Sequence, residues 1–239
     1  MPVADRHPVR MRPHPQLATH LAGRAGVHRE HRIRVVLADD HSLVRRALRR
    51  LLDSEDGIEV VQEAVDLDTA VSHVHTHAPH VLVIDLDLPN GSTLLTLGEL
   101  RRRAPRTEIV VLAMEPLPLF ARRVLQAGAV GYVLKDQADS ELAAAIRTAA
   151  RGERYVSPQV AAALGALDAV ERDGGLSGRE AEVLWLTGLG YTGAEVVSKL
   201  HISRRTVDTH RANIHAKLGL RTRAELVDYA LGHGVIGDA

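Results

Sequence analysis

Three carboxylates and a lysine stand at the ends of short apolar runs that have the composition of buried strands. Asp39 and Asp40 follow the first run, Asp85 follows the third and Lys135 follows the fifth. If the runs are parallel strands of one sheet, these residues meet at the edge where such sheets bind ligands. Clustered carboxylates raise one another's pKa values unless a cation intervenes. A hard divalent cation such as Mg²⁺ fits this set of oxygen ligands.

This arrangement also suits phosphoryl transfer. A bound Mg²⁺ would shield an incoming phosphoryl group from the carboxylates, so that one aspartate could act as a nucleophile and form an aspartyl phosphate. Lys135 would supply a point charge to the phosphate oxygens. Taken singly, Asp85 could simply begin a loop, and Asp39 and Asp40 could cap a helix. The four residues at one sheet edge favour the chemical interpretation.

The elements that must position these residues alternate between strand and helix patterns. Val44, Ala47 and Leu48 begin a helical spacing that continues beyond them, and the same spacing recurs near residue 145. Runs that are apolar on both faces predict a parallel sheet covered by helices. The predicted fold class is therefore α/β, a (βα)5 doubly wound parallel sheet. Its strands are Ile33–Ala38, Ile58–Val61, Val81–Ile84, Ile109–Ala113 and Val130–Leu134.

A small all-α domain is predicted to follow the sheet. Three residue pairs match the N-terminal capping box, in which a Ser or Thr precedes a Glu by three positions. They are Ser177 with Glu180, Thr192 with Glu195, and Thr222 with Glu225. Ser203 is a fourth candidate N-cap, and the short connection before it predicts a tight helix-turn-helix. The four helices lie near Gly178–Leu189, Gly193–Leu200, Arg204–Leu218 and Arg223–Gly232.

Domain boundaries follow from composition. Residues 1–31 are rich in Pro, His and Arg without periodicity, which predicts a disordered extension before an α/β domain at 32–158. Residues 159–175 predict a linker with some helical tendency, followed by the helical domain at 176–239. The chain has no cysteine and no apolar run long enough to cross a membrane. We expect a soluble cytoplasmic protein without a membrane partner.

Residues 33–158 resemble the receiver domain of two-component response regulators. The resemblance is carried by VVLADDH at the first strand, VLVIDLDLPNG at the third and GAVGYVLKD at the fifth. It implies that Asp85 accepts a phosphoryl group from a phosphohistidine on a sensor histidine kinase, and that Lys135 pairs with the phosphate. It also implies a Mg²⁺ site, formed by Asp39, Asp40, Asp85 and the backbone carbonyl of Asp87.

Two further positions concern the switch of such domains. Tyr132 falls at the aromatic position whose rotamer reports activation in the family. The fourth strand ends in Ala113, where the family usually has a Thr or Ser hydroxyl that hydrogen-bonds the phosphoryl group. A hydrogen bond to a charged group is worth about 1.5–3 kcal/mol, so its loss predicts a weak switch. A phosphorylation-independent regulator is the alternative. The apolar loop 115–120 that follows fits either a partner surface or core packing.

Two other interpretations compete at single motifs. Asp85-Leu86-Asp87 also resembles the nucleophile motif of haloacid dehalogenase-type phosphatases, although those enzymes usually carry it on their first strand. That alternative predicts turnover of phosphate monoesters, whereas the receiver resemblance implies a protein that is not an enzyme. His73 and His77, one helical turn apart, could bind zinc, but they fit the solvent side of a helix more simply.

Basic residues are concentrated between positions 203 and 223, although the formal net charge of the chain is zero. This segment has six Lys and Arg residues against one acid. Val207, Ile214 and Leu218 form an apolar stripe that leaves most of the charge outward. A short helix, a tight turn and a second helix with a basic, exposed N-terminal end have the geometry that enters a DNA major groove. A solvated charged face is the alternative.

Residues 176–227 resemble the LuxR-type helix-turn-helix domain across LSGREAEVLWLTGLGYTGAEVVSKLHISRRTVDTHRANIHAKLGLRTRAELV. The resemblance implies that the protein binds double-stranded DNA as a homodimer on paired half-sites. Gly178 and Gly193-Ala194 depart from the family pattern, and we expect them to affect only the stability of scaffold helices. By position, the residues that face or flank the groove are Asp208, Thr209, Arg211 and Ala212. Those near phosphates are Arg204, Arg205, Lys217 and Arg221.

Overall fold

The computed structural model describes residues 32–114, 117–200 and 202–236; the predicted extension at 1–31 lies outside them. The strands are β1 (Ile33–Ala38), β2 (Ile58–Ala64), β3 (Val81–Asp85), β4 (Glu108–Ala113), β5 (Gly131–Leu134) and β6 (Tyr155–Val156). The helices are α1 (Ser42–Asp53), α2 (Leu67–His77), α3 (Thr93–Arg103), α4 (Pro118–Gln126), α5 (Ala138–Ala150), α6 (Pro158–Asp173), α7 (Gly178–Gly188), α8 (Gly193–Leu200), α9 (Arg204–Leu218) and α10 (Arg223–Gly232). None of these helices is long and apolar enough to span a bilayer.

The strands form one parallel sheet in the order β2-β1-β3-β4-β5-β6. The predicted α/β fold class is confirmed, and β6 is an addition to the five expected strands. Its two residues pair with Gly131 and Tyr132 of β5 and are too few to show a sequence period. The strand order reverses direction between β1 and β3, and such a switch point is where open α/β sheets bind ligands.

Side chains of the central strands alternate between two apolar layers, as the two-residue period of a strand requires. On β3, Leu82 and Ile84 pack with α2, α3 and α4, whereas Val81 and Val83 pack with α1 and α5. Asp85 ends this strand and is itself buried. Because both faces are covered, the strand ends are shielded from water, and the polar groups there must find partners within the protein.

The segment predicted as a linker is the single helix α6, and both of its ends are packed. Val160 belongs to the apolar core of the sheet, while Leu167 and Val170 belong to the core of the helical domain. Ser157, just before α6, accepts a hydrogen bond from the backbone N of Leu134 at 3.1 Å. The two domains are therefore joined through a packed helix. Their exact boundaries stay a prediction.

The helices of the helical domain begin at the positions that the capping residues predict. Ser177 and Thr222 form complete boxes with their glutamates, and Ser203 caps α9 by accepting from Thr206 N at 3.1 Å. The Glu180 carboxylate accepts from Ser177 N at 2.7 Å and lies 2.6 Å from the ammonium of Lys217. Since Lys217 is on α9, this ion pair fastens α9 to the first turn of α7.

Glu180 predicts an acid-sensitive fastening of these two helices. Burial raises the pKa of Glu180, but hydrogen bonds from Lys217, Ser177 and Asn213 outweigh it and lower the pKa to about 2 from 4.5. Because the pKa of Glu180 is lower in the folded state, its ionised carboxylate stabilises the fold at pH values above the pKa of the unfolded chain. This contribution is lost as pH falls from about 4.5 toward 2. The shift corresponds to on the order of 3 kcal/mol.

We expect Glu180→Gln to lower the free energy of unfolding at pH 7 and to flatten its fall in acid. Trp185, the single tryptophan, is buried on α7 and reports this region in urea titrations at several pH values. Glu225→Gln is the matched control, because Glu225 completes the capping box of α10 without a lysine partner in the described contacts. An acid dependence of Glu180→Gln that parallels the wild type would contradict the assignment.

Candidate functional site

The carboxyl edge of the sheet holds a buried ion cluster made by β1, β3 and β5. The side chains of Asp39 and Asp85 are 0% and 1% exposed, and that of Lys135 is 6% exposed. Lys135 Nζ lies 2.7 Å from Asp39 Oδ2 and 2.7 Å from Asp85 Oδ2. Asp40 stands at the rim with its side chain 35% exposed. The structure thus brings together the four residues that sequence placed at separate strand ends.

The electrostatics of this crevice keep the lysine charged and leave the carboxylates undercompensated. Burial raises the pKa of Asp85, Lys135 partly opposes the rise, and the nearby Asp39 adds to it. Burial lowers the pKa of Lys135, but its contacts with Asp39 and Asp85 outweigh burial and raise it. Two carboxylates therefore share one ammonium in a site shielded from water, and a further cation would be stabilised there.

The residues present fit a divalent cation. Asp39, Asp40, His41 and Asp85 each offer a ligand atom, and these atoms lie within 4.8 Å of one another. The Oδ2 atoms of Asp39 and Asp85 both lie 2.7 Å from the Lys135 ammonium, and each carboxylate has further oxygen lone pairs to offer a cation. A cluster of carboxylate oxygens is the kind of ligand set that Mg²⁺ prefers. Asp87 N lies 3.4 Å from Asp85 Oδ1, which places Asp87 beside the site.

His41 also lies in the crevice, a role that the sequence pattern does not predict. Its backbone N donates to Asp39 Oδ1 at 2.8 Å, and its Nδ1 lies 2.8 Å from Asp40 Oδ1. His41 thereby orients both acidic side chains of the pair. Its place directly after two aspartates was the available signal; His41 is the N-cap residue of α1 but makes no side-chain capping hydrogen bond.

The two predicted switch residues lie next to the crevice. Ala113 ends β4 opposite Leu134 and is buried, and Tyr132 is fully buried in the sheet core. Both line an open cavity of about 590 Å³ that Met114 and Phe120 also border. The cavity leaves room for a larger side chain at position 113.

The loop and helix after Ala113 pack against the helical domain. Leu119 is buried in the core of that domain and Leu117 packs on it, which supports core packing over a free partner surface for this part of the loop. Glu115 and Pro116 lie outside the described residues. On α4, Arg122 lies 2.7 Å from Asp168 of α6, and Arg123 lies 3.4 Å from Glu182 of α7. The segment after Ala113 is therefore part of the contact between the domains.

Helix α9 buries Val207 and Ile214 and presents most of the predicted DNA-binding residues to solvent. The exposed residues are Arg204, Arg205, Asp208, Thr209, Ala212, Lys217 and Arg221. Two residues have surroundings that the sequence did not indicate. Lys217 is held by Glu180, and Arg211 is partly buried with an Nε that has no hydrogen-bond partner.

Among the described residues, no third ligand joins the histidines of α2 in a metal-binding group. The rings of His73 and His77 are 5.6 Å apart between centroids. Within the described part of the chain, the group of three or more clustered His, Asp and Glu ligands is the one in the crevice. The zinc alternative therefore gains no support from the geometry, because structural zinc sites use four ligands.

Comparison with known proteins agrees with both halves of this description. Residues 35–147 match the response regulator receiver domain family, and residues 175–230 match the bacterial regulatory proteins of the luxR family. The oxygen regulatory protein NreC of Staphylococcus carnosus (strain TM300) is 36% identical over 211 residues, covering 83% of this chain and 97% of NreC.

Solved structures show the same similarity. A structure of the Salmonella typhimurium RcsB response regulator is 29% identical with a TM-score of 0.56, covering 83% of this chain and 98% of that one. A structure of the RcsB-DNA complex is 27% identical with a TM-score of 0.57, covering 86% of this chain and 100% of that one. The chain therefore belongs to the response regulators that join a receiver domain to a LuxR-type helix-turn-helix domain, and it is a DNA-binding transcriptional regulator.

Proposed function

We propose that this regulator is phosphorylated on Asp85 by a sensor histidine kinase, with Mg²⁺ bound at Asp39, Asp40, Asp85 and the carbonyl of Asp87. The observation that carries the proposal is the buried Asp85 carboxylate, held 2.7 Å from Lys135 beside a cluster of oxygen ligands. The protein is not an enzyme in this proposal, and it acts in the cytoplasm as a homodimer on double-stranded DNA.

The residues of the crevice have different roles in phosphoryl transfer. Burial raises the pKa of Asp85, and Lys135 opposes this rise, which favours the ionised carboxylate that attacks the phosphoryl group. The P–N bond of the phosphohistidine breaks as the P–O bond to Asp85 forms, and the donor imidazole leaves. Bound Mg²⁺ supplies charge that offsets the phosphoryl oxygens. Lys135 already lies where its ammonium can contact a phosphoryl group carried by Asp85.

The first test is direct phosphorylation by a small phosphodonor with Mg²⁺, followed by intact-mass measurement. The wild type should gain one phosphoryl group, and Asp85→Asn should gain none, because an amide oxygen is a poor nucleophile. Asp87→Asn is the matched control: it keeps the backbone carbonyl and should still be labelled. Labelling of Asp85→Asn would place the acceptor elsewhere. Turnover of phosphate monoesters by the wild type, together with loss of labelling in Asp87→Asn, would favour a phosphatase.

Phosphorylation is expected to change DNA affinity only weakly in the wild type. The phosphoryl group can shift a conformational equilibrium only through contacts that differ between the two states. Ala113 has no hydroxyl to bond the phosphoryl group, and the loop that follows Met114 is held by Leu117 and Leu119 in the helical-domain core. The missing hydroxyl at Ala113 also keeps open the alternative of a regulator that binds DNA without phosphorylation.

Ala113→Thr should enlarge the response to phosphorylation. The cavity beside position 113 accepts the added atoms, and a hydrogen bond worth about 1.5–3 kcal/mol corresponds to a change of about ten- to a hundredfold in an equilibrium. The measurement is the ratio of DNA affinities with and without phosphodonor. Ala113→Val adds similar volume without a hydroxyl and should leave the ratio near that of the wild type. A large wild-type ratio that Ala113→Thr does not alter would refute this role.

The DNA-facing assignment follows the exposed side of α9. Asp208, Thr209 and Ala212 are exposed along it and are proposed to lie toward the major groove. The exposed guanidinium groups of Arg204, Arg205 and Arg221 are proposed to lie near phosphates. Lys217 remains in this group by its position, although its ion pair with Glu180 shows that it also positions α9.

A further inference from the structure

Gly193 begins α8, and its missing side chain leaves a space that two guanidinium groups occupy. A Cβ placed there would lie 3.1 Å from Arg204 Cζ and 3.2 Å from Arg211 Nη1, closer than ordinary van der Waals contact. Arg204 and Arg211 are both on α9, so their side chains reach across to α8. The sequence pattern predicts that Gly193 affects only the stability of a scaffold helix, and the structure adds a second consequence of the glycine.

The guanidinium groups at this corner carry more positive charge than their partners offset. Burial lowers the pKa of Arg211, and Arg223 and Arg204 lower it further, while Asp208 opposes them. The Nε of Arg211 is buried and has no hydrogen-bond partner among the residues that the structure describes. Asp208 lies 3.5 Å from Arg204 Nε. Arg223 is fixed elsewhere, since it donates to the carbonyl of Gly190 at 2.7 Å.

Within residues 202–236 and the described part of α8, the other charged groups near this corner do not supply the missing anion. Glu195 accepts from Thr192 N and Thr192 Oγ1, both at 2.7 Å, and so completes the cap of α8. Lys199 lies over the Tyr191 ring at 4.6 Å and adds positive charge. The first amides of a helix also favour an anion, because they have no acceptor within the helix. Converging guanidinium groups bind phosphate oxygens well, through forked hydrogen bonds.

We propose that Gly193 is a positioning residue that lets Arg204 and Arg211 converge on one phosphate of the DNA backbone. This inference rests on the proposed docking of α9 on DNA and makes it more specific. It assigns Arg211 to the phosphate, in place of the groove-facing role expected from its position. The anion is a DNA phosphate because the corner adjoins the exposed N-terminal end of α9, which presents Arg205 and Asp208 to solvent.

The test uses the full-length protein and a mixed-sequence DNA duplex titrated at several salt concentrations, because phosphate contacts do not depend on base sequence. Gly193→Ala should weaken binding about threefold, and the larger Gly193→Val about tenfold. Loss of one phosphate contact should also lower the slope of log affinity against log salt by about one unit in Gly193→Val. Gly232→Ala on α10, where a Cβ meets nothing within 4 Å, is the control and should change neither value.

A double-mutant cycle separates positioning from a general loss of fold. If Gly193 acts through Arg204 and Arg211, Gly193→Val should cause no further loss of affinity once both arginines are Ala. Trp185 fluorescence should show that Gly193→Ala is folded like the wild type. The DNA affinity of Gly193→Ala therefore still tests the proposal if Gly193→Val is unstable. If the Gly193 variants keep the wild-type affinity and salt slope, the inference about Gly193 is overturned. It is also overturned if the affinity losses of the glycine and arginine substitutions are fully additive, and neither result would affect the proposed DNA docking. A wild-type chain that does not bind the duplex would overturn the DNA docking as well.

Discussion

One buried ammonium shared by two carboxylates is the constraint on which the receiver domain depends. Lys135 is the cation in contact with both Asp39 and Asp85, and all three side chains are almost fully shielded from water. Removing one partner from such a cluster leaves an uncompensated buried charge, which is strongly destabilising. The sheet must therefore bring the ends of β1, β3 and β5 to within contact distance. The apolar layers on both faces provide the rigid frame that does so.

Covalent continuity and packing connect this cluster to the DNA-binding half. Leu134, the neighbour of Lys135, donates its backbone N to Ser157 at the start of α6, and α6 ends in the helical-domain core. On the other side, the segment after Ala113 places Leu119 in that same core. Helix α6 and the segment after Ala113 thus both link the crevice to the helical domain through packed side chains. A phosphoryl group at Asp85 would therefore act on a stiff assembly, which agrees with the small response expected when position 113 has no hydroxyl.

Local signals predicted much of this architecture, and long-range contacts account for what was missed. The capping residues Thr192 and Ser203 gave the bounds of α8 and α9, because a cap is set by residues three positions apart. Polar residues after apolar runs gave the crevice. By contrast, the Glu180–Lys217 ion pair and the approach of two arginines to Gly193 involve residues distant in sequence. No local sequence pattern predicts either contact. Residues 159–175 predict a linker with some helical tendency, and helix α6 covers most of them, with Val160 in one core and Leu167 and Val170 in the other.

The central claim is that the crevice is an undercompensated anionic site built for a cation and a phosphoryl group. The most direct measurement is the free energy of unfolding of wild type and Lys135→Met, with Mg²⁺ and with NaCl at matched ionic strength. If Mg²⁺ binds the carboxylates that Lys135 contacts, it should stabilise Lys135→Met more than the wild type, because the variant lacks the competing ammonium. No stabilisation of either protein by Mg²⁺ beyond that given by NaCl at matched ionic strength would contradict the account.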